Sequence, residues 1–430
     1  MHSRSWKPAL LAGSALGIIL LALLGYLAFS GRFGDSGRRQ GPELELEDFL
    51  KVYWQRPIPL QGSPPPGYTK AEASLKPEDC GACHAPQYSD WKQSFHGKAM
   101  GPGPWGQIVD LTRDHPEDAV FCMTCHAPLS EQFPLINQKD AQGRYLQNPK
   151  FDPELQRQGI ICAACHVRSH ERFGPPRSDT SPTYPESMRN HGGVKRTPYF
   201  ERSEFCRDCH QFDPKDTVLL NGKPLQDTYR EWQSSTWGQG GARCQECHMP
   251  GRRHEWRGIH DAEWVRNGVR MEIQLEEQRP ASKDALAVVV RVTNAAVGHK
   301  FPTYITPKVF VRAELLDEAT QRLSGTRQEI VIGWDARHEG GSWKEYFDTR
   351  VPPGETHRAR FRWKVPAEAR TLRVWMEIHP DHFYREYFYP AYLKRKGISP
   401  AARKLIETAL AESGRSRYTL FEEKLALGDK

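Results

Sequence analysis

Cys80-Gly-Ala-Cys83-His84, Cys122-Met-Thr-Cys125-His126, Cys162-Ala-Ala-Cys165-His166, Cys206-Arg-Asp-Cys209-His210 and Cys244-Gln-Glu-Cys247-His248 consume all 10 cysteines of the 430-residue chain. A histidine follows every second cysteine. With 17 histidines in 430 residues, five such placements would arise by chance with a probability on the order of 10⁻⁷. Positions i, i+3 and i+4 share one face of a helical turn. Both thiols can then bond the vinyl groups of one porphyrin while the imidazole meets its iron, the attachment pattern of a c-type haem. Structural zinc needs cysteine pairs about 12 to 20 residues apart, whereas these motifs recur roughly 40 residues apart. Disulfides would explain an even cysteine count and leave the histidines unexplained. The expectation is five covalently attached c-type haems, with His84, His126, His166, His210 and His248 as proximal iron ligands.

A chain of 430 residues predicts two or three domains. Its 33 prolines and 35 glycines predict long irregular connections between the motifs. The net charge of +7 is spread without a basic block, which argues against a nucleic-acid partner. The haem-motif stretch is poor in aliphatic residues for its length, as a core built around porphyrins would be.

Ala9–Phe29 is an uncharged 21-residue run after Arg4 and Lys7 in a short N-terminal segment, residues 1–8. About 17 to 25 apolar residues span a bilayer, whereas a signal-peptide core takes about 7 to 15. The length favours an uncleaved transmembrane anchor, with a cleaved signal ending near Ala28-Phe29-Ser30 as the alternative. Positive charges flank both ends, so topology follows from the haems, which are attached outside the cytoplasmic membrane. The reading places residues 1–8 in the cytoplasm and the rest on the periplasmic side of the inner membrane.

Residues 30–70 are polar and contain Ser63-Pro64-Pro65-Pro66-Gly67, which suits an extended spacer. Residues 71–262 form the pentahaem domain, built of short helices and loops such as Ser181 to Pro185. After Asp261 the pattern changes to period two. Met271, Ile273 and Leu275 alternate with polar residues, and Leu286, Val288, Val290 and Val292 alternate with Ala287, Val289, Arg291 and Thr293. Val309, Val311, Ala313 and Leu315 form a third run, and Leu372, Val374, Met376 and Ile378 a fourth. One apolar face in each run predicts antiparallel strands and an Ig-like β-sandwich over residues 263–383. In residues 384–430, Ser399 as N-cap, Pro400, the stripe Ala402, Leu405, Ile406, Ala409, Leu410, and Gly414 as terminator predict a helical tail. The fold class is α+β and multidomain.

A sixth iron ligand separates an electron carrier from a catalyst. His96, His115, His170, His191, His254 and His260 lie outside the motifs and within the haem domain. Each could be an exposed histidine in another setting, but together they suffice to close five irons. His299, at a strand end in the sandwich region, either reaches back to a haem or is a polar loop residue.

The run Tyr88-Ser-Asp-Trp91-Lys-Gln-Ser94-Phe-His96 resembles the Tyr-X-X-Trp-X-X-Ser-X-His signature of the cytochrome c554 family, which implies that His96 ligates a haem. Tyr229-Arg-Glu-Trp232-Gln-Ser-Ser235 echoes it with Trp237 in the histidine position, which removes one expected ligand. Cys244–His248 followed by His254 and His260 is similar to the last-haem segment of that family, and this implies a distal ligand downstream. Val292-Thr-Asn294 leading to Gly298-His299-Lys-Phe301-Pro302-Thr303 is similar to sandwich domains fused to such cytochromes.

Three functions follow. An electron carrier with bis-histidine haems, serving protein redox partners, fits the histidine count best. A reductase of small nitrogen or sulfur species would need one five-coordinate iron; the Cys-X-X-Cys-Lys variant of pentahaem nitrite reductases is absent, while the c554 resemblance implies that one such iron exists. A quinol dehydrogenase resembling the NapC/NirT type fits the anchor, but the spacer would carry the first haem away from the bilayer.

Overall fold

The computed structural model describes residues 42–178, 190–215, 217, 219–276 and 285–427. The expected span at Ala9–Phe29 and the Ser181 to Pro185 loop lie outside the described residues. Among the described residues, no helix is long and apolar enough to cross a membrane.

The chain divides after Tyr53. The described part of the first unit is the helix Pro42–Tyr53, which sets Leu46, Leu50 and Tyr53 on one face and stacks Phe49 on Tyr53 at 4.7 Å. This corrects the reading of residues 30–70 as an extended spacer. The second unit, Trp54–Lys430, begins inside the supposed spacer: Ile58 is buried, and its N–H donates to the Pro128 carbonyl at 2.9 Å.

In the motif region the helices are short. Pro116–His126, Cys162–His166, Glu204–His210 and Cys244–His248 each end on a motif histidine. Pro77–Gly81 stops earlier, but the His84 N–H still donates to the Cys80 carbonyl at 2.9 Å, completing the turn. Proline at the first position starts Pro77–Gly81, Pro102–Asp114 and Pro116–His126, where its missing N–H costs nothing. Short strands lie between the motifs: β1 Leu135–Lys139, β2 Tyr145–Gln147, β3 Val167–Arg168, β4 Glu171–Gly174, β5 Lys195–Arg196, β6 Leu219–Leu220 and β7 Lys223–Pro224. The apolar clusters here are small, such as Met100, Ile108, Met123, Ala127 and Phe133.

The C-terminal part is built of antiparallel sheets. β8 Val269–Leu275, β9 Ala285–Asn294 and β13 Thr356–Lys364 form one, in the order β13-β9-β8. β10 Lys308–Leu316, β11 Gln328–Glu339, β12 Ser342–Asp348, β14 Thr371–His379 and β15 Tyr418–Ala426 form the other, in the order β12-β11-β10-β14-β15. Their inner faces share one core containing Val288, Val290, Val292, Val309, Val311, Leu315, Phe361, Leu372, Val374, Met376 and Ile378. The alternation read from sequence selects the right face of β9, β10 and β14. The β11–β12 hairpin turns on Gly340 and Gly341 with φ of 60° and 80°, the left-handed conformations that a two-residue turn requires.

The helical reading of residues 384–430 holds for Pro400–Arg415, capped by Ser399 accepting from the Ala402 N–H at 3.1 Å. It fails beyond, where β15 adds a strand beside β14. Gly414 does not terminate the helix. It lies inside it, where a Cβ would meet the Arg385 guanidinium at 2.7 Å. The helix packs on Pro102–Asp114 through Gly106, whose Cβ would come within 2.9 Å of Ile406.

Candidate haem-binding site

Each motif places its two cysteines and its histidine at i, i+3 and i+4 of one turn, and local carbonyls fix how three of the histidine rings turn. Nδ1 of His126 lies 2.7 Å from the Ala99 carbonyl, that of His166 2.8 Å from Phe173, and that of His248 2.8 Å from Arg257. Three histidines outside the motifs are oriented the same way: His254 to Arg252 at 3.0 Å, His299 to Lys300 at 3.0 Å and His191 to Gly193 at 3.2 Å. An Nδ1–H donated to a carbonyl fixes the tautomer that leaves the Nε2 lone pair for a metal.

The rings then pair. A metal–imidazole bond of about 2.0–2.1 Å puts two rings on opposite sides of one metal roughly 6.3 Å apart, centre to centre. His96 and His210 are 6.1 Å apart, His166 and His254 6.1 Å, and His248 and His299 6.3 Å with ring planes 8° apart. His191 lies close enough to His84 to depress its basicity, after burial the next cause. Spacing alone does not suffice: His379 and His382 are also 6.2 Å apart, but His379 Nε2 lies 3.2 Å from the Glu377 carboxylate.

The other expected ligands are not brought to a partner ring. His170 has its Nε2 at 3.2 Å from the Gly62 carbonyl, and His260 has its Nε2 at 3.1 Å from Asp381. Their Nε2 atoms already have partners. His115 is exposed at the junction of two helices, at the far end of Pro116–His126 from the motif histidine. Among the described residues no second imidazole pairs with His126 at this spacing.

Burial keeps these rings neutral. It holds His96 down to about 3, with help from the imidazoles of His210, His248, His254 and His126. Burial likewise lowers His166 to about 4 and His210 to about 4. An imidazole that does not protonate keeps its lone pair for iron. Large apolar rings stay exposed beside the ligand positions: Phe95 at 54 %, Phe121 at 46 % and Trp237 at 39 %. They supply the flat apolar surface a porphyrin needs, so the residues present fit the group.

Sequence reading missed the supports. Trp256 stands 4.4 Å from His96 and 5.2 Å from His254, and Phe200 stacks at 5.2 Å on His166. Asp90 takes both Arg253 bonds at 2.7 Å and the His254 N–H at 3.0 Å, fixing the loop that carries this imidazole. The echo at Tyr229 is a structural repeat. Trp91 donates to the Ile160 carbonyl at 2.7 Å and Trp232 to Ala242 at 2.9 Å, each acceptor two residues before a motif. Ser94 and Ser235 return the same bonds, to the Trp91 and Trp232 carbonyls at 2.8 and 2.7 Å. Trp237 thus occupies the place of His96 in an otherwise intact turn.

The cytochrome c552 family model matches residues 64–274. The match spans all five motifs. This chain is a multihaem c-type cytochrome. The penta-heme cytochrome c552 of Thermochromatium tepidum matches this cytochrome at 16 % identity over 81 % of this chain and 97 % of that one, with a TM-score of 0.55, which shows a shared fold. Spo0M from Bacillus subtilis matches at 11 % identity over 26 % of this chain and 43 % of that one, and its TM-score of 0.12 carries no argument. No curated protein matches the cytochrome. Neither structural match is a cytochrome c554, so that resemblance rests on the Tyr88–His96 and His254–His260 segments alone.

Proposed function

We propose that this cytochrome is a five-haem electron carrier working on the outer side of the cytoplasmic membrane, tethered through Ala9–Phe29 and exchanging electrons with protein partners. Haem iron supplies reversible one-electron chemistry when bound. The residues supply attachment, orientation and exclusion of further ligands. Cys80/Cys83, Cys122/Cys125, Cys162/Cys165, Cys206/Cys209 and Cys244/Cys247 would anchor the five groups. His84 with His191, His166 with His254, His210 with His96, and His248 with His299 would hold the iron of the first, third, fourth and fifth groups. The observation that carries this reading is the set of three imidazole pairs at 6.1–6.3 Å.

Motifs distant in sequence are also brought together. The sulfur of Cys80 lies beside that of Cys162, that of Cys125 beside Cys209, and that of Cys206 beside Cys244. Porphyrin edges anchored there would adjoin, as a carrier requires. A reductive titration of the oxidised protein tests the reading: five electrons per chain and five irons support it, and fewer of either would refute it.

A second reading, binding or reduction of a small molecule, is favoured by one observation: His126 has its Nδ1 fixed on Ala99 and no partner ring among the described residues. On the ligand assignment above, nine imidazoles serve five irons. The iron of the second motif would be the one open to an external ligand.

A further inference from the structure

His299 belongs to the sheet region, yet its ring stands over His248 of the fifth motif, and the contacts that hold it there come from both sides. Asn294, at the end of β9 and fully buried, donates through Nδ2 to the His299 carbonyl at 2.9 Å and to the Val351 carbonyl at 3.0 Å. Its Oδ1 accepts the Val297 N–H at 3.0 Å, closing the loop that carries the histidine.

From the motif region, Glu231 reaches the next residue. Its Oε2 accepts the Lys300 N–H at 3.3 Å and the Thr303 hydroxyl at 3.3 Å, while its Oε1 accepts Arg350 Nη1 at 2.9 Å. The Arg350 and Glu231 side chains are 1 % and 5 % exposed. Arg350 is held in turn by Asp348 through bonds of 2.8 and 2.9 Å and lies 4.5 Å over the Trp334 ring. The helix bearing Glu231, Thr228–Gln233, is fastened to the residue after His210: the Arg230 N–H donates to Gln211 Oε1 at 3.1 Å, and Gln211 Nε2 donates to Asp227 at 2.7 Å. A buried ion pair seldom adds much stability over an apolar pair, but it specifies one arrangement, and removing one partner is costly.

We propose that the Glu231–Arg350 pair is a positioning latch that presents His299 to the fifth haem, so that closure of that iron depends on the sheet region staying docked on the motif region. Glu231 fixes the backbone at Lys300 and Arg350 fixes Glu231; neither touches the iron. The inference rests on the assignment of His299 as a ligand. It adds a function to the sheet region, which otherwise carries no cofactor.

The test compares ferric high-spin signals in electron paramagnetic resonance of full-length holoprotein variants with wild type. His299→Ala tests the underlying assignment: a gain of one high-spin iron per chain, reversed by added imidazole, is expected, and an unchanged spectrum would refute the ligation itself. Glu231→Ala and Arg350→Ala test the latch. Each should give a high-spin signal of at least about half the His299→Ala intensity, reversed by imidazole, and tenfold faster cyanide binding at that iron. Glu231→Gln, which keeps the shape and loses the charge, should give less of both. If His299→Ala behaves as expected while Glu231→Ala, Arg350→Ala and Glu231→Gln match wild type, the latch is refuted and the ligation stands. Where an alanine variant does not fold, Glu231→Gln and Thr303→Val decide by the same readout.

Discussion

The two halves of the Trp54–Lys430 unit are held together by different means. Among the described residues the sheet region has a main core of 21 buried residues; the motif region has separate clusters of seven and five around Ile161 and Met123. Each fully buried Val or Leu contributes about 1.5–3 kcal/mol, so the sheets can stabilise themselves, whereas the motif helices need their covalent cofactors. One region is organised by period-two patterning and the other by ten cysteines.

Four experiments probe this difference. Replacing Cys162 and Cys165 by Ser should have the largest effect, loosening the motif region to proteolysis while strand circular dichroism persists. Equal loss of both regions would remove the contrast. Leu315→Ala, at a fully buried position facing both sheets, should cost about 2–5 kcal/mol in denaturant unfolding and leave the haem Soret spectrum unchanged. Gly106→Ala forces a methyl to 2.9 Å from Ile406, where the C-terminal helix meets the motif region. A cost of about 1–3 kcal/mol is expected, measured as a lowered midpoint of unfolding.

The smallest effect is a pH dependence. Burial pushes Lys308 from its ordinary 10.5 down to about 8, although its Nζ donates to the Ile305 and Trp334 carbonyls at 2.9 and 2.7 Å. Between about pH 8 and 10.5 the unfolded chain holds more protons at this site than the folded one, so stability rises with pH there; the full penalty applies below 8. Wild type should therefore gain stability relative to Lys308→Met as pH climbs through that window. A difference that stays flat would show that Lys308 is not perturbed.

Much of this was legible in the sequence. The motifs point to covalent haem by themselves, and strands β9, β10 and β14 announce the face they bury. Other features depend on contacts that periodicity does not encode. β11, β12, β13 and β15 escaped notice; in β15 the apolar residues are interrupted by charged ones, as in Tyr418-Thr-Leu-Phe-Glu-Glu. Among the candidate ligands, counting could not separate His96, His191, His254 and His299 from His170 and His260. What sets His191, His254 and His299 apart is a carbonyl on Nδ1 that frees Nε2, and what sets His96 apart is its 6.1 Å spacing from His210, whereas Gly62 or Asp381 already occupies Nε2 of His170 and His260. Glu231 and Arg350 read as ordinary charges, because the sequence does not reveal that they are buried together.

On the proposed assignment nine imidazoles serve five irons, and the second motif holds the one without a distal ring among the described residues. Spin quantitation by electron paramagnetic resonance of the fully oxidised protein, against its measured iron content, tests it most directly. Four low-spin ferric haems and one high-spin haem that turns low-spin with cyanide are expected. Five low-spin haems, or more than one high-spin haem, would contradict it.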